Sequence, residues 1–132
     1  PRENIFVNKD VVINAIGNPN FIILNSLTAD IHEGQNPRYG RRGKIPSSKN
    51  IPFHELLDNK TGKFKPIEEL ANMFEKNKIT KDKQILNYCG GGIAASLEAF
   101  VLYQLGFEKI VIYDNSLHEW AAIDQTLPME NN

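Results

Sequence analysis

Apolar positions along this chain fall into short continuous runs, set apart by segments in which they recur at helical spacing. Phe21-Ile22-Ile23-Leu24, Gln84-Ile85-Leu86-Asn87-Tyr88-Cys89 and Lys109 to Tyr113 (KIVIY) show little alternation. Runs of this kind suit strands covered on both faces, as in parallel sheets. Ile5-Phe6-Val7 predicts one further short strand. Between the runs, Asn8 is placed to cap a helix over Lys9 to Ile16 that Gly17 closes. A second helix is predicted over Pro66 to Asn77, with Pro66 at its first position and Glu68 and Glu69 in its first turn. Ile67, Leu70, Ala71 and Phe74 give it an apolar stripe. Ala94 to Leu105 reads as a strong helix ended by Gly106, and Pro52 to Asp58 as a short one. Ser116-Leu117-His118-Glu119 fits a capping box that leads a short helix through Trp120 and Ala121.

Strands alternating with helices predict an α/β fold, a mostly parallel central sheet with helices on both faces. Ligands of such sheets bind beyond the carboxyl ends of the strands. Cys89 sits at one of those ends. From Thr28 to Asn50 periodicity is lost and Gly34, Pro37, Gly40, Gly43 and Pro46 gather. A loop of that length inside a compact domain is usually functional.

The length of 132 residues suits one domain, 1–132, that needs no disulfide or metal staple. A net charge of -1 gives no reason to expect a nucleic-acid partner or an anionic membrane surface. No apolar run approaches the roughly 20 residues that span a bilayer. Pro1 to Asp10 also lacks a basic segment followed by an apolar stretch, so no retained signal peptide is expected. The single cysteine excludes an internal disulfide and makes a reducing cytoplasm the default location. His32, His54 and His118 have no metal-ligand spacing, so no metal is expected. Each reads as a surface or cap residue, His32 being worth testing because it lies in the long loop. Trp120 and Tyr113 read as core and edge aromatics, and Asp114 as a turn cap or a pocket residue.

The chemistry concentrates in Tyr88-Cys89-Gly90-Gly91-Gly92-Ile93-Ala94-Ala95-Ser96. Three successive glycines let the backbone curl so that several N–H groups point at one centre, and the following helix adds its positive end. A sulfur inside that cradle is favoured as thiolate, the nucleophilic form. The turn lacks the Gly-Lys-Ser/Thr ending of a P-loop. Phosphatase chemistry of the Cys-x5-Arg type would need an arginine where Ala95 stands.

With these residues in place the chain resembles the rhodanese family of sulfurtransferases. The resemblance runs through Gly43-Lys44-Ile45-Pro46, Asn50-Ile51-Pro52 and Gly62-Lys63-Phe64-Lys65 to the Cys89 loop. It continues through Leu105-Gly106-Phe107, Val111 to Asp114 and Glu119-Trp120. Cys89-Gly90-Gly91-Gly92-Ile93-Ala94 is similar to the C-G-S-G-V-T loop of thiosulfate and mercaptopyruvate sulfurtransferases. The resemblance implies that Cys89 takes the outer sulfur of a small anionic donor, holds it as a persulfide and passes it to an external thiol or to cyanide. It also implies that backbone N–H groups of Gly90, Gly91, Gly92, Ile93, Ala94 and Ala95 stabilise the charged sulfur, with no cofactor. Two departures stand out. Asn25-Ser26-Leu27 replaces the family's Asp-x-Arg, and Gly91 and Ala94 replace hydroxyl residues. Arg38, then Arg41, is the expected substitute for the missing arginine. The rival reading is a catalytically weak rhodanese fold that binds sulfur species or a protein partner.

Overall fold

The computed structural model describes residues 5–90, 93–114, 116–123 and 126–130. The strands are β1 (Phe6–Val7), β2 (Phe21–Asn25), β3 (Lys49–Asn50), β4 (Gln84–Tyr88) and β5 (Ile110–Tyr113). They form one sheet in the order β1-β5-β4-β2-β3, and every neighbouring pair is parallel. β4 therefore lies in the middle, in register with β2 from Phe21↔Gln84 to Asn25↔Tyr88. The apolar runs are explained by cover on both faces. Ile85 and Cys89 join one buried cluster, whereas Leu86 and Tyr88 join the other.

Four α-helices cover the sheet: α1 (Lys9–Ala15), α2 (Ala29–His32), α3 (Ile67–Lys76) and α4 (Ile93–Gln104). Leu70 and Phe74 of α3 pack with Ala95, Ala99 and Leu102 of α4 on one face. Val12 and Ala15 of α1 pack with Trp120 and Ala121 on the other. The predicted cap of α1 is present: Asn8 Oδ1 accepts from the Asp10 N–H at 3.0 Å and from Val11. A 3-10 turn at Phe53–Leu56 stands where a short helix is predicted, and a π-helical segment spans His118–Ile123.

Three local expectations are corrected. Ile67 is not part of the buried stripe of α3; it is 54% exposed in the first turn, in a shallow groove with Phe64 and Phe100. The stretch from Thr28 to Asn50 is not all loop, because it carries α2 and the edge strand β3. β3 pairs through Lys49 and Asn50 alone, and an edge of two polar residues leaves no apolar signature. Tyr113 lies fully buried against Trp120, ring centroids 5.9 Å apart, rather than at an edge. Among the described residues no helix is long and apolar enough to cross a membrane.

Leu86 is fully buried in the central strand. Leu86→Ala is expected to lower unfolding free energy by about 2–5 kcal/mol, read from the urea midpoint with the denaturant slope unchanged.

Candidate functional site: the Cys89 cavity

Cys89 follows the last residue of β4 at the carboxyl edge of the sheet and is held there by its backbone. Its N–H donates to Ser116 Oγ at 3.0 Å, and that hydroxyl donates to the Tyr113 carbonyl at 2.7 Å. Its carbonyl accepts from the Leu117 N–H, and the Gly90 carbonyl accepts from the His118 N–H, both at 2.8 Å. The segment after β5 thus grips the cysteine peptide from both sides. Ser116 adopts φ 50 to do so, an uncommon conformation for a residue with a side chain. The capping box predicted for this serine is not formed. Its hydroxyl serves the cysteine, and Glu119 instead accepts from the Tyr113 phenol at 2.5 Å.

The turn after β2 supplies one wall. Asn25 Oδ1 accepts from the Leu27 N–H at 2.9 Å, and Asn50 Nδ2 donates to the carbonyls of Asn25 and Leu27. An amide therefore shapes this turn where the family carries a carboxylate. Asn25 Nδ2 bonds His32 Nδ1 at 3.0 Å, which makes Nδ1 the acceptor of a neutral ring. His32 is buried, not a surface or cap residue; burial and then nearby Lys44 push its titration down to about 4, opposed by Glu130.

Behind the cysteine, a small polar cluster interrupts the apolar core. Asn87 Nδ2 donates to Ser26 Oγ at 2.8 Å and to the Leu24 carbonyl at 2.9 Å. Asn87 Oδ1 and both carboxyl oxygens of Glu98 are buried in this cluster, the Ser26 hydroxyl being the polar group beside the carboxyl. Burial drives the Glu98 carboxyl well above the usual range; the Ser26 hydroxyl pulls it back, while Cys89 and Glu55 push it further up. The raised carboxyl favours the neutral acid at Glu98, in a cluster close to Cys89. Its position was available in the sequence, since Ala95, Glu98, Ala99 and Leu102 share one helical face.

A cavity of about 490 Å³ opens in front. Cys89, 2% exposed, and Gly90 border it together with Leu27, Tyr39, Phe53, Ile93, Leu97 and His118. The Tyr39 ring lies directly on Gly90, so a Cβ at position 90 would fall inside it. The cavity brings together four of the expected site residues, Cys89, Gly90, Ile93 and Ala94. Ala95 is buried in the core beside it, and Gly91 and Gly92 lie outside the described residues. α4 is described from Ile93, and Ile93 and Ala94 of its first turn border the cavity.

The two expected arginines take other places. Arg41 donates to the carbonyls of Trp120 at 2.6 Å and Leu127 at 2.7 Å and does not border the cavity. Next to it Gly40, at φ 111, lets the loop approach Ala121 so closely that a Cβ would stand 2.7 Å from its carbonyl oxygen. Arg38 is exposed, its guanidinium 5.3 Å from the centre of the Tyr39 ring. Asp114 is exposed and away from the cavity, whereas exposed His118 borders it. Sequence reasoning missed Tyr39, Phe53, Leu97 and the Ser116 anchor, because single apolar or hydroxyl residues in turns carry no spacing signal.

Ser116→Ala would leave the buried Cys89 N–H without its acceptor. A loss of about 1–3 kcal/mol in unfolding free energy is expected, with altered Cys89 alkylation by iodoacetamide. Glu98 binds its proton more tightly folded than unfolded, so native stability is lost as pH rises from its ordinary value of 4.5 toward its raised folded value. The stability of wild type relative to Glu98→Gln should therefore fall above pH 4.5 by up to about 1.4 kcal/mol per pH unit. Chemical denaturation of both proteins across that range measures it.

Comparison with known proteins agrees with this geometry. Over 96 residues the chain is 42% identical to thiosulfate/3-mercaptopyruvate sulfurtransferase 1, mitochondrial, of Arabidopsis thaliana, covering 72% of this chain and 25% of that protein. It is 35% identical over 99 residues to 3-mercaptopyruvate sulfurtransferase of Escherichia coli (strain K12), covering 74% of this chain and 34% of the relative. The chain thus spans about a quarter to a third of these relatives. In fold it matches the anaerobic ergothioneine biosynthesis enzyme from Chlorobium limicola, solved with its natural substrate trimethyl histidine. That match has a TM-score of 0.89 at 18% identity, over 99% of this chain and 33% of that one. Residues 15–123 match the family described as the rhodanese-like domain, and with this sheet order and this cysteine loop the chain belongs to that family.

Proposed function

We propose that this chain, read as one rhodanese-like unit over 1–132, is a sulfurtransferase working through a persulfide on Cys89. The observation that carries the reading is a cysteine fixed at the floor of a cavity, at the carboxyl end of the central strand, with the start of α4 opening on it. The Cys89 thiolate attacks the outer sulfur of a small anionic donor of the thiosulfate type. A Cys89–sulfur bond forms as the donor's S–S bond breaks, and sulfite departs with that bond's electron pair. The backbone N–H groups of residues 90–95, Gly91 and Gly92 among them, hold the negative sulfur during transfer. A thiol or cyanide from outside then removes it, because the chain has no second cysteine to do so. The chemistry calls for no metal or organic cofactor, and neither nucleic acid nor membrane takes part. A reducing cytoplasm keeps Cys89 available between turnovers.

A second reading, a catalytically weak module that binds sulfur species or a protein partner, draws support from the cavity walls. Leu27 stands where the family's arginine would be, and Arg41 is engaged elsewhere. Losing one charged hydrogen bond to the donor costs about 1.5–3 kcal/mol, roughly ten- to a hundred-fold in affinity or rate.

Incubation with excess thiosulfate, followed by its removal, is expected to add one sulfur atom to the intact mass. Cyanide should remove that sulfur, and Cys89→Ser should never acquire it. If thiosulfate, mercaptopyruvate and polysulfide all leave the mass unchanged, the transferase reading fails and the module reading stands.

A further inference from the structure

Resting on the persulfide reading above, we infer that the thiol accepting sulfur from Cys89 is an organic thiol with an uncharged, apolar body. The mouth of the cavity is built for such a body. Leu27, Phe53, Ala94 and Leu97 line the cavity together with Cys89, and the Tyr39 ring closes one side over Gly90. Among the described residues no lysine or arginine borders the cavity, and His118 is its one basic side chain. The cations of the long loop are placed elsewhere. Arg41 is bonded to two carbonyls of the C-terminal segment, and Lys44 lies 4.0 Å from Glu130. The Arg38 guanidinium stands over the Tyr39 ring, outside the lining.

The apolar character continues beyond the mouth. Ile93 is 78% exposed, Leu97 44% and Phe100 56%, and their spacing sets them in one stripe along α4. A volume of about 490 Å³ accommodates a small aromatic or branched thiol with its sulfur toward Cys89. A charged acceptor would give up hydration at these walls and gain no ion pair from them.

The anionic part of the first half-reaction is served by backbone N–H groups, so the walls are left to choose the acceptor. In that second half-reaction the acceptor thiolate RS⁻ attacks the outer sulfur of Cys89–S–SH. A new S–S bond forms to R, and the old one breaks with its electron pair leaving on Cys89 as thiolate. The product is RSSH, which keeps the proton, and no oxidant or reductant is consumed.

The test loads the protein with polysulfide and removes the excess. The persulfide is then discharged by four thiols: benzyl mercaptan, 2-mercaptoethanol, cysteamine and 2-mercaptoethanesulfonate. Rates are followed by intact mass and compared per unit of thiolate. Benzyl mercaptan should discharge Cys89 at least about tenfold faster than the anionic sulfonate, with the neutral polar thiol between them. Leu97→Lys, a change at a part-exposed position, should shrink that ratio several-fold by slowing the aromatic thiol and favouring the sulfonate. Equal rates, or a faster sulfonate or cysteamine, overturn the apolar acceptor while leaving the persulfide reading intact. If polysulfide adds no cyanide-removable sulfur to Cys89, both readings fall together.

Discussion

The structure turns on the grip that residues 116–118 hold on the cysteine peptide. A cysteine at the end of a strand has no ladder beyond it to fix its backbone. Here the N–H of Cys89, its carbonyl and the carbonyl of Gly90 are each satisfied by the segment that follows the neighbouring strand β5. Three hydrogen bonds define where the chain leaves the sheet at Cys89 and Gly90. The unusual φ of Ser116 is the local cost, of order 1–3 kcal/mol, and the surrounding bonds hold it in place. A strain of that size persists where geometry matters more than stability.

Charge is managed around this peptide largely with neutral groups. The turn at Asn25 is closed by amides, His32 is kept unprotonated, and Glu98 is kept protonated. An anion held by backbone N–H groups in a poorly polarisable setting is stabilised most when no nearby group competes for the same donors or adds like charge. The polar cluster of Ser26, Asn87 and Glu98 lies in the core on the face of the sheet that also buries Cys89. Its buried amide and carboxyl oxygens are an energetic liability that an all-apolar core would avoid.

Much of this was legible in the sequence. The buried runs around Ile22 and Leu86 report cover on both faces directly, Asn8 marks a helix start because its side chain accepts from the first N–H groups, and Gly17 and Gly106 mark helix ends because few residues tolerate their positive φ. Cys89, Gly90, Ile93 and Ala94 could be found because the loop that carries them is contiguous. The arginines could not be placed by the same means. Arg38, Arg41 and Arg42 differ only in what the folded chain brings near them, and the partners of Arg41 lie 79 and 86 residues away. Ser116 illustrates a different limit. Its pattern satisfies a local rule for helix capping, and a tertiary donor, the Cys89 N–H, takes the same hydroxyl oxygen.

The loop carrying Tyr39 is moored through the guanidinium and the backbone N–H of Arg41 to carbonyls at 120, 121 and 127. Contacts that close so large a loop cost more conformational entropy than local ones. The Tyr39 wall beside Cys89 is therefore held in place by contacts between segments 79 and 86 residues apart in the chain.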